Sequence, residues 1–167
     1  FGTSVPTISG FPDTNPYELG IKFNSSTNGL IKGVRFYKDV AAAGPFTGSL
    51  WTSAGVQLAT GTFSTSASGW QELIFAAPVP ITAGVTYVAS YYSPNGIYPF
   101  LANRFTTLPA LSPGGYLTAP ASGGPDGSNG VYKPGTSGFP TLTFSDANYY
   151  VDVIFSPNVA PPTFNLT

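Results

Sequence analysis

Short stretches in which apolar and polar residues alternate recur along this chain, and glycine, proline and serine separate them. Residues 29–38 (GLIKGVRFYK) show the pattern, since it places Leu30, Val34 and Phe36 on one face of an extended strand and Ile31 on the other. A period of two residues is that of a β-strand, whereas a helix repeats every 3.6 residues. The chain is therefore expected to fold as a series of short strands.

The same alternation predicts further strands and a hairpin. The strands are 69–75 (GWQELIF), 86–92 (TYVASYY) and 149–155 (YYVDVIF), and the hairpin joins 49–51 to 56–63 across a turn at 53–55. In the last strand, Tyr149, Val151, Val153 and Phe155 are expected to point inward. Strands this short, with turn signals between them, are typical of β-sandwich and jelly-roll folds. We predict an all-β fold in which two antiparallel sheets pack as a jelly-roll-like sandwich with long Gly/Pro-rich loops.

Two segments depart from this rhythm. Residues 94–140 are rich in Gly, Pro, Ser and Asn. A structureless connection of that length is uncommon in a compact domain, so the segment is either functional or contains short strands. Residues 157–167 (PNVAPPTFNLT) combine prolines that stiffen the chain with a strand-like end. We therefore predict a sandwich module over residues 1–156 and a C-terminal arm over residues 157–167.

The chain lacks most of the side chains that carry out catalysis. It contains no His, Cys or Met, and only 8% of its residues are charged. Without imidazole or thiol groups it has no ordinary catalytic triad, thiolate nucleophile or zinc site of the usual ligands. We therefore predict a protein that is not an enzyme and needs no cofactor.

The charge and hydropathy of the chain limit its partners. The formal net charge is −1, whereas a protein that binds nucleic acid presents a basic surface. No apolar run approaches the length of about 20 residues that spans a membrane. We therefore expect no nucleic-acid partner and no membrane insertion.

Nine segments, in this order, resemble the bacterial family called domain of unknown function 4082. They are 18–23 (ELGIKF), 33–38 (GVRFYK), 48–51 (GSLW), 58–60 (LAT), 69–71 (GWQ), 78–84 (PVPITAG), 86–91 (TYVASY), 129–132 (NGVY) and 148–153 (NYYVDV). The resemblance covers about residues 1–156 and leaves the arm outside. It implies a secreted β-sandwich module, often found beside immunoglobulin-like or carbohydrate-active domains, and it implies no established activity.

The chain departs from the family pattern at three places. The family often has a histidine before the GSLW segment, where this chain has Pro45, Phe46 and Thr47, and another in the segment where this chain has Ile97. The Asn-Tyr-Trp of the family reads Asn-Tyr-Tyr at 148–150. A metal or ligand role that those histidines have in relatives therefore does not carry over to this chain.

The two glutamates are Glu18 and Glu72. A glycosidase needs two carboxyl groups placed across the scissile bond. Both glutamates lie in strand patterns, however. There the commoner arrangement is a polar pair at the strand surface, Glu18 with Lys22 and Glu72 with a nearby Lys or Arg.

Residues 126–130 (DGSNG) provide a weak calcium hypothesis. Asp126 and Asn129 carry the hard oxygen ligands that calcium prefers, as do residues 13–15 (DTN). Neither loop has the acidic spacing of an EF-hand. A turn in which Asp and Asn accept backbone hydrogen bonds is the commoner alternative.

Aromatic side chains near the long loops indicate a glycan-binding site. The candidates are Tyr92, Tyr98, Tyr116 and Tyr132, because aromatic rings stack on the apolar C–H faces of sugars and line concave ligand sites. Aromatic residues in strands are more often buried, and Trp51 and Trp70 are expected in the core.

The arm provides an assembly hypothesis. Phe164 and Leu166 are two residues apart, so in a strand they share a face that could add to the sheet edge of a neighbouring copy. Phe1 is a candidate for the same junction. Asn24 and Asn165 begin N-x-Ser/Thr glycosylation sequons.

We predict a non-catalytic structural module that acts at the cell surface. In this hypothesis it is a filament subunit whose arm adds a strand to the next copy, so its partner is a second copy or a neighbouring domain. The alternative is a carbohydrate-binding module with a polysaccharide partner. The chain begins with Phe1 and not with Met, which is expected of a processed piece. An extracellular location is therefore predicted.

Overall fold

The computed structural model describes residues 1, 4–7, 10–65 and 67–158, which form thirteen β-strands and no helix. No apolar helix of membrane-spanning length therefore occurs in these residues. The strands are β1 (Phe11–Pro12), β2 (Tyr17–Ser25), β3 (Gly29–Lys38), β4 (Thr47–Thr52), β5 (Gln57–Thr62), β6 (Gly69–Ile81), β7 (Tyr87–Ser93), β8 (Ile97–Tyr98), β9 (Ala110–Leu111), β10 (Leu117–Ala119), β11 (Val131–Pro134), β12 (Leu142–Thr143) and β13 (Val151–Pro157).

The strands form two main antiparallel sheets. The large sheet has eight strands in the order β12-β11-β2-β7-β4-β5, and β10 extends it by pairing with β2 and β9. The small sheet has the order β13-β3-β6, and β1 and β8 form a separate two-stranded ribbon. The predicted all-β sandwich is confirmed. The segment 94–140 contains β8 to β11, so it does contain short strands.

Most of the predicted strands occur where alternation placed them. Strand β3 has the predicted bounds, and β4 and β5 form the predicted hairpin. Strand β6 continues to Ile81, past Pro78 and Pro80, because it is an edge strand whose outer amide groups need no partner. Strand β13 runs to Pro157, one residue into the predicted arm.

The core between the sheets is centred on aromatic rings. The ring of Phe36 in β3 lies 4.4 Å from that of Tyr91, 4.7 Å from that of Phe63 and 5.0 Å from that of Phe46, measured between centroids. All four side chains are buried. Leu19 of β2 is part of the same cluster, and the stack of Phe36 of the small sheet on Tyr91 of the large sheet joins the two sheets.

The predicted face of Leu30 is wrong. Leu30 is 40% exposed, whereas Ile31 is fully buried together with Val34. The register between β3 and β6 shifts between Ile31 and Gly33. An extra residue at such a bulge exchanges the faces of the residues before it, and alternation alone cannot locate it. The register of β13 also shifts, between residues 154 and 155, and Phe155 is only half-buried there.

The two tryptophans occupy the outer faces of the sheets. Trp51 is buried, but in a small separate cluster outside the large sheet, where its ring lies 5.7 Å from that of Phe139. Trp70 is only partly buried, so its predicted place in the core is wrong. It lies outside the small sheet, with the guanidinium of Arg35 4.8 Å from its ring centroid and Tyr37 against its edge.

Replacing Phe36 with alanine should destabilise the fold by about 3–5 kcal/mol, because three rings would then border a cavity. The matched control is Phe144→Ala, since Phe144 is 58% exposed and its loss should change the free energy of unfolding by less than about 1 kcal/mol. Urea unfolding of both variants measures the difference. Equal losses of stability would contradict the proposed centre of the core.

Candidate functional site

A cavity of about 370 Å³ lies at the end of the sandwich where β2 begins. Its deepest lining residues, Leu19, Tyr98 and Tyr149, are buried, whereas Phe144 stands at the mouth and is 58% exposed. The complete set of described lining residues is Asp13, Tyr17, Leu19, Tyr98, Phe100, Tyr132, Phe144 and Tyr149. The cavity is therefore walled mainly by aromatic rings.

The register of the large sheet places three of these side chains. Tyr17 and Leu19 are two residues apart in β2, so they share its inner face. Tyr132 of β11 lies directly opposite Leu19 on one side, and Tyr91 of β7 lies opposite it on the other. Because Tyr91 stacks on Phe36, the floor of the cavity continues the core of the sandwich.

Six rings follow one another around the cavity. Neighbouring centroids are between 5.7 and 6.0 Å apart, and the planes of successive rings are tilted or perpendicular to each other. We call this set the aromatic arc, and its members in spatial order are Tyr132, Tyr17, Tyr98, Tyr149, Phe100 and Phe144. The spacing is that of packed aromatic pairs, so each ring supports the next.

The segment that carries Phe144 and Tyr149 has unusual backbone angles. Ser145, Asp146 and Tyr150 have φ values of 50°, 44° and 55°. Such left-handed residues are strained unless their surroundings hold them. The backbone groups of Leu101 and Asn148 exchange two hydrogen bonds of 3.0 and 2.9 Å that fix the segment. This wall of the cavity is therefore tied to the neighbouring segment at Leu101.

Asp13 supplies the one charged group of the described lining. Its backbone N–H donates to the carbonyl of Gly96 at 3.1 Å. Gly96 has a φ of 68°, and a Cβ there would lie 2.2 Å from the carbonyl oxygen of Asp13, so this approach requires glycine. A hydrogen bond to the Asp13 carboxylate raises the pKa of Tyr17.

The deep tyrosines keep neutral hydroxyl groups. Burial raises the pKa of both Tyr98 and Tyr149 well above the ordinary value for tyrosine, because the phenolate would lose its hydration. A neutral phenol both donates and accepts hydrogen bonds. The cavity thus combines apolar ring surfaces with neutral polar groups and one carboxylate.

Two of the four predicted glycan-binding tyrosines lie in the aromatic arc, Tyr98 and Tyr132. Tyr92 lies on the opposite face of the large sheet, opposite Glu18 in register. Tyr116 borders a different surface pocket, together with Phe155 and other residues. The two candidates inside the arc and the two outside therefore do not form one site.

Sequence reasoning missed four members of the arc: Tyr17, Phe100, Phe144 and Tyr149. Tyr149 was expected to point inward, which is correct, but as a core residue. Tyr17 could have been found from the sequence, because it lies two residues before Leu19 and alternation places both side chains on the same face of the strand. Phe100 and Phe144 lie in irregular segments, where the sequence shows no period that could place them.

Glu18 is fully buried on the outer face of the large sheet. Its carboxylate accepts hydrogen bonds from the hydroxyl groups of Ser90 at 2.6 Å and Ser137 at 2.8 Å. Ser90 also accepts a bond from the indole N–H of Trp51 at 2.8 Å. Burial raises the pKa of Glu18, although these bonds oppose the shift. The network holds the loop after β11 over the sheet.

The predicted pair of Glu18 with Lys22 is wrong. The two share a face of β2, but residues four apart in a strand are about 13 Å apart. The ammonium of Lys22 instead donates to the carbonyl of Asp126.

Glu72 is exposed on the outer face of the small sheet, so the two glutamates lie on opposite sides of the sandwich and do not share a site. Arg35, opposite Glu72, forms an ion pair of 2.7 Å with Asp152.

Asn129 ties its loop to β2. Its side-chain oxygen accepts the N–H groups of Lys22 at 2.9 Å and Gly130 at 2.7 Å, and its amide donates to the carbonyls of Lys22 and Pro120. Both lone pairs of the amide oxygen are thus engaged, as in the turn alternative. The carboxylate of Asp126 accepts the hydroxyl of Thr86 at 3.0 Å. No cluster of three metal-ligating side chains occurs in the part of the chain that is described.

The remaining candidates are dispersed. Phe1 packs against the core, and its amino group contacts the Asp152 carboxylate. Asn24 is half-buried in β2, beside β10. Phe164, Leu166 and Asn165 lie outside the described residues.

A comparison with protein families identifies one match. The model of the family described as Domain of unknown function (DUF4082) matches residues 3–151, which is most of the chain and confirms the resemblance read from the sequence. No curated protein matches the chain.

The raised pKa of Glu18 predicts a pH-dependent stability. For an acid whose pKa is higher in the folded state, the stabilisation is present below the unfolded pKa, ordinarily about 4.3. It is lost as the pH rises through the folded value. The wild-type protein should therefore lose stability relative to Glu18→Gln between about pH 4 and neutral pH. Urea unfolding of both proteins across this range tests this, and a stability difference that does not change with pH would contradict it.

Proposed function

The chain belongs to the DUF4082 family, and we propose that it is a non-catalytic extracellular module that binds a saccharide in the cavity lined by the aromatic arc. The observation that carries the proposal is the continuous arc of six rings around an open space of about 370 Å³. Ligand sites of small molecules are concave, mostly apolar and about 300–1,000 Å³ in volume.

The chemistry of the lining suits a sugar. The C–H faces of a pyranose are apolar and pack on aromatic rings, while its hydroxyl groups need hydrogen-bond partners. Four tyrosines and Asp13 line the cavity, and phenol and carboxylate groups are hydrogen-bond partners of the kind that sugar hydroxyls need. A purely apolar ligand would remove water from the Asp13 carboxylate without offering it a hydrogen bond, which is unfavourable.

The mouth of the cavity is apolar and open to solvent. Phe144 is 58% exposed, and Leu142, two residues before it, is 47% exposed. Exposed apolar side chains beside a cavity are typical of interaction sites. Phe144 packs against Phe100 inside the cavity, so an incoming ring would extend an existing stack.

The carboxylate content of the site favours binding over cleavage. Asp13 is the only carboxylate of the described lining, whereas most glycosidases use two on opposite sides of the scissile bond. Glu18 and Glu72 lie elsewhere, on opposite faces of the sandwich. These positions support a module that retains a saccharide without hydrolysing it.

Phe144→Ala and Tyr132→Ala should each reduce retention on a bound polysaccharide by about tenfold or more, because a stacking partner worth about 1–2 kcal/mol is lost. Tyr92→Ala is the matched control, since Tyr92 lies on the opposite face of the same sheet and should leave retention unchanged. Affinity electrophoresis against a panel of polysaccharides gives the measurement. If the unmutated protein is retained by none of them, the proposal fails.

Assembly is a second candidate function, and the exit of the arm supports it. Strand β13 ends at Pro157, and the N–H of Asn158 donates to the carbonyl of Asn28 at 2.8 Å. Because β13 is an edge strand of the small sheet, the described chain ends at that edge. The other edge, β6, carries Ile74, which is 62% exposed, and an edge strand can accept an added strand. We propose that residues 159–167 of one copy pair with β6 of another in a surface filament.

Deletion of residues 159–167 should convert oligomers to monomers without a loss of stability if the arm is the joint. Ile74→Lys should do the same, because a charge on an edge strand opposes pairing. Leu111→Lys is the control, since Leu111 is equally exposed, at 61%, in another sheet. Light scattering measures the mass, and a monomeric full-length protein would exclude the assembly role.

A further inference from the structure

We infer that the saccharide unit bound in the aromatic arc carries a free, positively charged amine, as an amino sugar without an acetyl group does. This inference rests on the proposed saccharide-binding function and names its ligand class. The observation behind it is the charge of the site: six aromatic residues and one carboxylate, that of Asp13, line the same cavity, and the described lining contains no lysine or arginine.

Aromatic rings and a carboxylate attract the same kind of group. The faces of Tyr and Phe rings carry partial negative charge, so they attract ammonium groups that lie within about 6 Å of the ring centroid. A carboxylate adds a charge-assisted hydrogen bond to such a group. The hydroxyl of Tyr17 already donates to Asp13, which fixes the carboxylate beside the arc.

The basic side chains near the cavity, Lys133 and Arg104, make their contacts outside it. Lys133 follows Tyr132 in β11, but alternation places it on the outer face opposite Glu18, where its ammonium donates to the carbonyl of Thr136. Arg104 lies over the ring of Phe105, which is not part of the lining. Asp13 therefore has no protein cation beside it in the described cavity, and a ligand cation could fill that position.

A neutral sugar would bind less well for a physical reason. A ligand that covers the cavity removes water from Asp13, and a carboxylate that loses water without gaining an opposite charge is penalised. An ammonium on the ligand compensates this loss. An acetylated amine has no charge and cannot do so. The cavity should therefore distinguish two sugars that differ only in acetylation.

The test compares three trisaccharides of equal length and linkage: a β-1,4-linked glucosamine trimer, its N-acetylated form and the corresponding glucose trimer. Calorimetry is done at about pH 5, well below the pKa of about 7.7–8.0 of an α-amino group, so that the less basic sugar amines are also protonated. We expect the glucosamine trimer to bind about tenfold more tightly than the other two. Asp13→Asn should remove this preference. Glu72→Gln, which removes an equal charge on the exposed outer face of the small sheet, should keep it.

The outcomes distinguish the amine inference from the saccharide-binding proposal on which it rests. If all three trimers bind equally, the saccharide function stands and the amine inference is overturned. The inference is also overturned if the preference survives in Asp13→Asn or disappears in Glu72→Gln. If no trimer binds, both proposals fail. If choline binds as tightly as the glucosamine trimer, the cavity recognises the cation alone, and the saccharide function fails.

Discussion

The register of β2 is the constraint on which both faces of the large sheet depend. This strand pairs with β7, β10 and β11, and its inner face carries Tyr17 and Leu19. A slip of one residue would exchange the faces and place Glu18 in the aromatic core. In the native register the carboxylate of Glu18 is satisfied by Ser90 and Ser137. In the core it would lose these partners at a penalty of several kcal/mol. The buried charge thus acts against the alternative register.

The same strand connects this network to the cavity. Glu18 holds Ser137 and Gly138 over the outer face of the sheet, and these residues follow β11. Tyr132 of β11 belongs to the aromatic arc on the inner face and lies against the ring of Tyr17. The loop that covers Glu18 therefore also keeps β11 paired with β2. A polar network on one face of the sheet supports an aromatic site on the other.

The strands were predictable from sequence because alternation is a local property, and the cavity was not, because distant segments form it. Tyr98 and Tyr132 could be selected as aromatic residues near loops, but the same criterion also selected Tyr92, which is on the wrong face. Phe144 is placed by a left-handed turn and by hydrogen bonds to a segment about 40 residues earlier in the chain. The prediction of the face that carries Leu30 failed for a related reason. A bulge depends on both of the paired strands, so one strand's sequence cannot locate it.

The described chain ends at the end of the sandwich opposite to the cavity. The cavity lies where β2 begins. Asn158 is hydrogen-bonded to Asn28, which lies beyond the other end of β2. Eight steps of about 3.3 Å put these two ends of β2 roughly 26 Å apart. The described lining of the cavity includes no residue of β6, so an arm paired with β6 would leave the cavity open. An array of such cavities on one polysaccharide would multiply the affinity of each cavity through effective concentration. Assembly would therefore strengthen saccharide binding and would not replace it.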